Sequence, residues 1–188
     1  MNLYLRLLWV LLRGHWLPAM RFDETLLQRW RVLPNDLDIN LHMNNGRYLT
    51  MVDLALLECF TRTGFLKALM KSGWRPMAGG VVMSFRRSLN LFQRYELRLR
   101  WLCSDERWNY LGVEFVRHGV VHAAGMMKGG AVGRDGIIPT AQYLSSFPAD
   151  VHEDLRRMLA RPLTDEVIAW RESERTLMQR VQLARAPS

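Results

Sequence analysis

The stretch Asn35-Asp36-Leu37-Asp38-Ile39-Asn40-Leu41-His42-Met43-Asn44-Asn45-Gly46-Arg47-Tyr48 sets two carboxylates, an imidazole and several Asn side chains directly ahead of an apolar segment, residues 48–70. Polar groups at that density, at the entry to an apolar helix, are costly unless they are satisfied or used. Asn44 suits an N-cap, because its side-chain oxygen can accept from a free N–H of the first turn. Asn45, Gly46 and Arg47 then form that turn. Its N–H groups point out of the helix end, and the macrodipole adds partial positive charge there. Such an end favours an anion or a carbonyl oxygen gaining negative charge. Asp38, folded back beside it, completes a minimal device for acyl transfer: one base or nucleophile and one oxyanion site. The plainer reading of Asp36, Asp38 and His42 is that they cap the helix and tie down the loop, where Asp and Asn are common.

The elements around this stretch follow from periodicity. Residues 22–32 read as a first strand, with Leu26, Gln28, Trp30 and Val32 on one face. Pro34 and Asn35 break it. A helix is expected from Asn45 to about Thr63, interrupted at Gly64 and continuing to Lys71. It is apolar nearly all round, so it is buried on most sides. Asp53 and Glu58 are the side chains on it that need explaining, and Glu58 is expected to pair with an Arg. Four segments with strand character follow, at 80–91, 96–102, 108–117 and 120–132. Their tight connections after one long helix indicate an antiparallel sheet. The small residues Ala123-Ala124-Gly125 and Gly129-Gly130 imply a close approach, by the central helix or a neighbouring subunit. Beyond a turn at Arg134-Asp135-Gly136, Asp150 and Glu153 suggest a capping-box start, and a last helix begins near Thr164.

Asp36-x-Asp38, then His42, Asn44-Asn45 and Tyr48, resembles the Asp-x-Asp-x3-His-x-Asn-Asn-x2-Tyr signature of hotdog-fold thioesterases in the 4-hydroxybenzoyl-CoA thioesterase superfamily. Val32-Leu33-Pro34, Arg86-Arg87-Ser88-Leu89 and the strand from Trp108 to Phe115 resemble the same group. The resemblance implies an α+β hotdog domain over 21–145, an antiparallel sheet wrapped around a long helix. An N-terminal apolar helix (1–20) and a helical extension (146–188) flank it. It implies hydrolysis of an acyl-CoA or acyl-carrier-protein thioester, as part of lipid metabolism. Asp38 takes the place of the attacking or water-activating carboxylate, and the N–H of Asn45, with Gly46, the place that polarises the carbonyl. His42 orients the loop. Asp53 lies near the place where another branch carries its carboxylate. Asn44, Gly46, Tyr48, Arg86 and Arg87 fall to substrate binding, with Tyr48 also expected to pack. The family often has Gly before the His; this chain has Leu41, a residue that disfavours positive φ. The rival expectation is a non-catalytic protein that binds acyl chains or acyl-CoA, or sits on membranes.

The chain has 188 residues, 49% of them hydrophobic, which fits one globular core. Cys59 and Cys103 are expected as buried, reduced thiols of a cytoplasmic protein. No Cys/His cluster has metal-ligand spacing, so no metal is expected. No cofactor is expected beyond coenzyme A as part of the substrate. The net charge of +8 suits nucleic acid, anionic lipid or a polyphosphate such as coenzyme A. No nucleic-acid-binding motif accompanies it, which disfavours the first. Residues 1–17 fall short of the ~20 apolar residues that span a bilayer. As a helix they carry only a narrow polar stripe, Asn2, Arg6 and Arg13. That leaves packing on the domain or a partner subunit, or peripheral attachment to a membrane surface. Family subunits pair, so a homodimer or homotetramer is expected.

Overall fold

The computed structural model describes residues 3–183 of the chain. Helix α1 (Leu3–Trp16) leads into strand β1 (Leu26–Arg31), the motif loop and helix α2 (Asn45–Arg62). After α2 come helix α3 (Phe65–Lys71) and strands β2 (Arg75–Phe85), β3 (Arg94–Ser104), β4 (Asn109–Arg117), β5 (Val120–Gly133) and β6 (Gly136–Ile138). Helices α4 (His152–Leu159) and α5 (Asp165–Leu183) close the chain. The sheet is antiparallel, in the order β1-β3-β4-β5-β2, with β6 added against β5. It wraps α2, and the hotdog expectation holds.

Gly64 sits at φ 74 and lets the chain turn between α2 and α3, the break read from its position. Leu26, Gln28 and Trp30 are buried, Leu27, Arg29 and Arg31 exposed, as the alternation of β1 requires. From β3, Tyr95, Leu97, Leu99 and Trp101 face α2; from β4, Leu111, Val113 and Phe115 do. Val10 of α1 and Leu155 and Met158 of α4 belong to this same buried cluster, so the terminal helices share the core. A second, smaller cluster lies on the opposite face of the sheet. There Val167 and Trp170 of α5 pack on Cys103 and Tyr110. Both cysteines are free and buried, and burial pushes the Cys59 thiol up to about 12.

Three expectations are corrected. β2 runs from Arg75 to Phe85 rather than over 80–91, because the amides of Arg86 and Arg87 both turn to the His122 carbonyl and end the ladder. At Gly125 and Gly130 of β5 the close approach comes from within the chain. A Cβ at Gly125 would meet the Val82 carbonyl at 2.3 Å, and one at Gly130 would meet the Arg107 carbonyl at 3.0 Å. Helix α4 starts at His152 with Val151 as its N-cap, since 149–151 form a 3-10 turn ahead of it, so Asp150 is not the cap. In the N-terminal stripe, Asn2 lies outside the described residues, and Arg6 is not on a solvated stripe but 1% exposed.

Candidate active site

The two motif carboxylates have opposite surroundings. Asp36 is fully buried and consumed by structure. Its oxygens accept from Arg6 Nη1 at 2.7 Å and Arg6 Nη2 at 2.6 Å, and from the Leu33 N–H at 2.9 Å. Arg47 Nε lies 3.3 Å away. A planar guanidinium gripping a buried carboxylate through two parallel bonds is the strong form of this contact. Arg6 also reaches Met51 Sδ at 3.3 Å, which fixes α1 onto α2. An Arg amid the apolar residues of a helix was the signal that a buried acid waits for it. Its partner, thirty residues away in sequence, could not be named from spacing.

Asp38 keeps its chemistry. Its side chain is 20% exposed. Oδ1 accepts from the Asn40 N–H at 2.8 Å, and Oδ2 lies 3.5 Å from His42 Nδ1. The Asp38 N–H donates to the His42 carbonyl at 2.9 Å and the Leu41 N–H to the Asp38 carbonyl at 3.1 Å, closing a small hairpin. Leu41 takes the position where a glycine is ordinary, at φ 60, with its side chain 73% exposed. A left-handed Leu costs about 1–2 kcal/mol, so the turn keeps its shape against the residue's preference.

The hairpin delivers the chain to α2. The Asn44 N–H donates to the Asp36 carbonyl at 2.8 Å. Asn44 is the N-cap, its Oδ1 accepting from the Gly46 N–H at 2.8 Å. The Arg47 N–H turns back to the Asn44 carbonyl at 2.8 Å. The Gly46 donor is therefore occupied, while the exposed Asn45 N–H has no hydrogen bond among the described residues. His42 opposes Asp38 across the hairpin, and the three residues from there to Asn45 span at most about 10 Å.

A segment that sequence reasoning did not connect to the loop holds it from outside. Met43 donates to the Leu89 carbonyl at 2.8 Å, and His42 bridges to Asn90. The exposed Arg86 and Arg87 lie just before this segment, so the guanidinium pair sits a few residues from the hairpin. Tyr48 is 2% exposed and packs edge-on against Phe85 and Phe115. Burial pushes its hydroxyl up to about 12, with a backbone hydrogen bond at Leu89 opposing. Tyr48 is thus a packing residue with a tethered hydroxyl, closed to a ligand.

Asp53 belongs to a different place. Eight residues into α2, it stands about 12 Å along the axis from Asn45. It projects from a face turned away from α1, which contacts α2 at Met51, Glu58 and Thr61. It lines a cavity of about 240 Å³ with Leu56, Leu57, Phe60, Met77 and Met127. Partial burial there raises its carboxyl above the ordinary value. Glu58 is fully buried and pairs as expected: Gln28 Nε2 donates at 2.7 Å, Arg62 Nη1 at 3.3 Å, and Arg13 Nη2 lies at 3.6 Å. Among the described residues no His, Cys, Asp and Glu gather into a metal site.

The comparisons with known proteins bear on the family and the fold. The chain is 42% identical to Protein THEM6 of Xenopus laevis over 85 residues, 45% of this chain and 41% of that protein. It is 37% identical to Protein THEM6 of Danio rerio over 116 residues, 60% of this chain and 56% of that one. The chain thus spans about half the length of these relatives. Among solved structures, YbaW of Escherichia coli, titled a probable thioesterase, matches with a TM-score of 0.61 at 14% identity, over 71% of this chain and 98% of that one. The gentisyl-coenzyme A thioesterase BH1999 matches with a TM-score of 0.56 at 18% identity, over 70% and 99%. At these identities the two structures speak for the fold. The family model described as the thioesterase-like superfamily matches residues 32–157, from the end of β1 through the motif hairpin and the sheet into α4, and the chain belongs to that superfamily.

Proposed function

We propose that this chain hydrolyses acyl thioesters of coenzyme A, with the motif hairpin as its catalytic centre. The observation that carries the proposal is the division of labour between the two Asp residues. Asp36 is locked into Arg6 and Arg47, whereas Asp38 is partly open, oriented by the Asn40 N–H, and backed by His42 at 3.5 Å. Asp38 either attacks the thioester carbonyl or takes a proton from the attacking water. In both cases the carbonyl oxygen becomes negative, and the Asn45 N–H at the start of α2 is the donor for it. The carbon–sulfur bond then breaks, and the thiolate leaves to take up a proton; in the attack route a water then cleaves the acyl–Asp38 anhydride, releasing the acid and restoring the carboxylate. Arg86 and Arg87 are free to meet the phosphates of coenzyme A. The cavity beside Asp53, about 12 Å along α2 from Asn45, is reached from there only by a long acyl chain.

One observation favours a second placement of the carboxylate. Asp53 is the acid that shares a cavity with apolar side chains and is raised by that burial, so it could act directly on a thioester held there. The experiment is a panel of acyl-CoA substrates, short to long and aromatic, followed by release of free thiol. Turnover best with long acyl groups is expected for chemistry at Asp38, whereas turnover best with short or aromatic groups points to Asp53. Binding of acyl-CoA without thiol release would remove the enzyme reading and leave an acyl-CoA-binding protein.

A further inference from the structure

Helix α1 uses one face and leaves the other open. Leu3, Arg6, Leu7, Val10 and Gly14 turn inward, and a Cβ on Gly14 would lie 3.1 Å from Thr61. Tyr4, Leu5, Leu8, Trp9, Leu11, Leu12 and Trp16 are between 37% and 75% exposed. At 3.6 residues per turn they form one continuous half of the helix, interrupted only by His15. None of them is charged. Contiguous apolar surface of this kind on a soluble chain marks an interaction site.

A second observation concerns charge. Along the Trp9 edge of α1 runs an open groove of about 800 Å³, whose walls include Arg29, Arg31, Arg94 and Arg117. Its acidic member, Glu96, is held by Arg29 at 3.4 Å and Arg98 at 3.0 Å. The apolar face is therefore bordered by cations along its Trp9 edge. Trp9 stands at the boundary, the position Trp favours between an apolar and a polar phase. The helix cannot turn over to hide this face, because Arg6 is pinned to buried Asp36. Its 14 residues are about 21 Å long, too short to cross a hydrocarbon core of about 30 Å.

We propose that the outer face of α1, with the arginine groove beside it, docks on an anionic phospholipid bilayer, with α1 lying in the plane of the interface. Charge selects this occupant over a second copy of the chain. Two copies joined through α1 would set like-charged grooves side by side, whereas an anionic surface neutralises them. Docking in this way also orients the catalytic centre, because Arg6 ties the membrane-facing helix to the motif loop through Asp36.

The test is flotation of the full-length chain with two kinds of vesicle: phosphatidylcholine alone, and phosphatidylcholine with phosphatidylglycerol. The chain is expected to float with the anionic vesicles, weakly with the neutral ones, and less at high salt. Leu8→Glu with Leu12→Glu is expected to weaken binding at least tenfold and leave the melting temperature and the cleavage of a soluble short-chain thioester unchanged. Leu5→Ser with Trp16→Ser, milder changes on the same face, is expected to weaken it in the same direction. Arg31→Glu with Arg94→Glu is expected to cost about tenfold or more on anionic vesicles only, since each basic residue near such a surface contributes about 1 kcal/mol. A chain that stays at the bottom of the gradient with anionic vesicles overturns the proposal. So does equal binding to both vesicle types. If the wild type does not float and Leu8→Glu with Leu12→Glu halves the mass seen by light scattering, the face belongs to a second copy and the proposal falls.

Discussion

Asp36 and Asp38 differ in environment more than in position, and their substitutions should separate cleanly. Asp38→Asn preserves shape and removes the charge on which the proposed reaction depends. It is expected to lower kcat by at least ~10²-fold with a modest change in KM, the pattern of a group acting mainly in the transition state. Asp53→Asn is the companion measurement: if it abolishes turnover while Asp38→Asn stays near wild type, the catalytic carboxylate is on α2. Asp36→Asn strips a buried carboxylate from two guanidinium groups and leaves Arg6 uncompensated. It is expected to cost about 3 kcal/mol of stability, read as a lower denaturation midpoint, with a smaller effect on kcat through the loop. The types and spacing of these residues were legible in the sequence, and so was the cap at Asn44. Their division into one structural and one open acid was not. It depends on Arg6, which reaches Asp36 across thirty positions, and pairing over that distance leaves no local signature. The fate of the Gly46 N–H was hidden in the same way, since it is settled by which way the Asn44 side chain turns.

Elements with one buried face were readable, and those without one were not. β1 and β3 alternate and sit where the alternation puts them, and α2 with its Gly64 break runs close to the expected bounds. β2 is an edge strand with apolar residues on both sides, so nothing in its pattern marks its ends. The chain leaves the ladder where Arg86 and Arg87 turn to one carbonyl. β6, three residues long, is too short to carry a period. α1 posed a choice between packing and exposure, and its two faces divide the two roles. The packed face makes a stability prediction independent of any lipid. Removing residues 1–17 takes away Arg6 and Val10 and opens the Asp36 pocket. With a loss of about 3 kcal/mol for the broken buried pair and ~3 °C per kcal/mol in a chain of this size, the melting temperature is expected to fall by about 10 °C. Calorimetry or far-UV circular dichroism checks it. An unchanged midpoint would mean that α1 is dispensable to the fold.

At the scale of the whole molecule, the sheet has two ends, and they are finished differently. β2, eleven residues long, is a terminal strand with Val81, Val82 and Phe85 each more than 40% exposed. A long apolar edge is an aggregation liability unless something pairs with it. The cavity and Asp53 open nearby, through Met77 and Ala78 of the same strand. An antiparallel pairing of β2 with β2 of a second copy would continue the sheet, cover these residues and place the partner beside the cavity. The other face of the sheet offers less room for association. Val167 and Trp170 of α5 cover Cys103 and Tyr110, and Lys128 is held there between the Trp108 and Trp170 rings and against Glu174. Stacking two such dimers sheet to sheet would have to displace α5. A homodimer is therefore expected rather than a tetramer, with light scattering giving twice the chain mass at micromolar concentration. Val81→Lys with Val82→Lys places a charge on each side of the edge and is expected to give a folded monomer with thioester cleavage reduced at least tenfold, because the partner strand expected beside the cavity is lost. A wild-type monomer, or a double variant that stays dimeric and fully active, would put the subunit contact elsewhere and leave β2 as an edge guarded by its own twist.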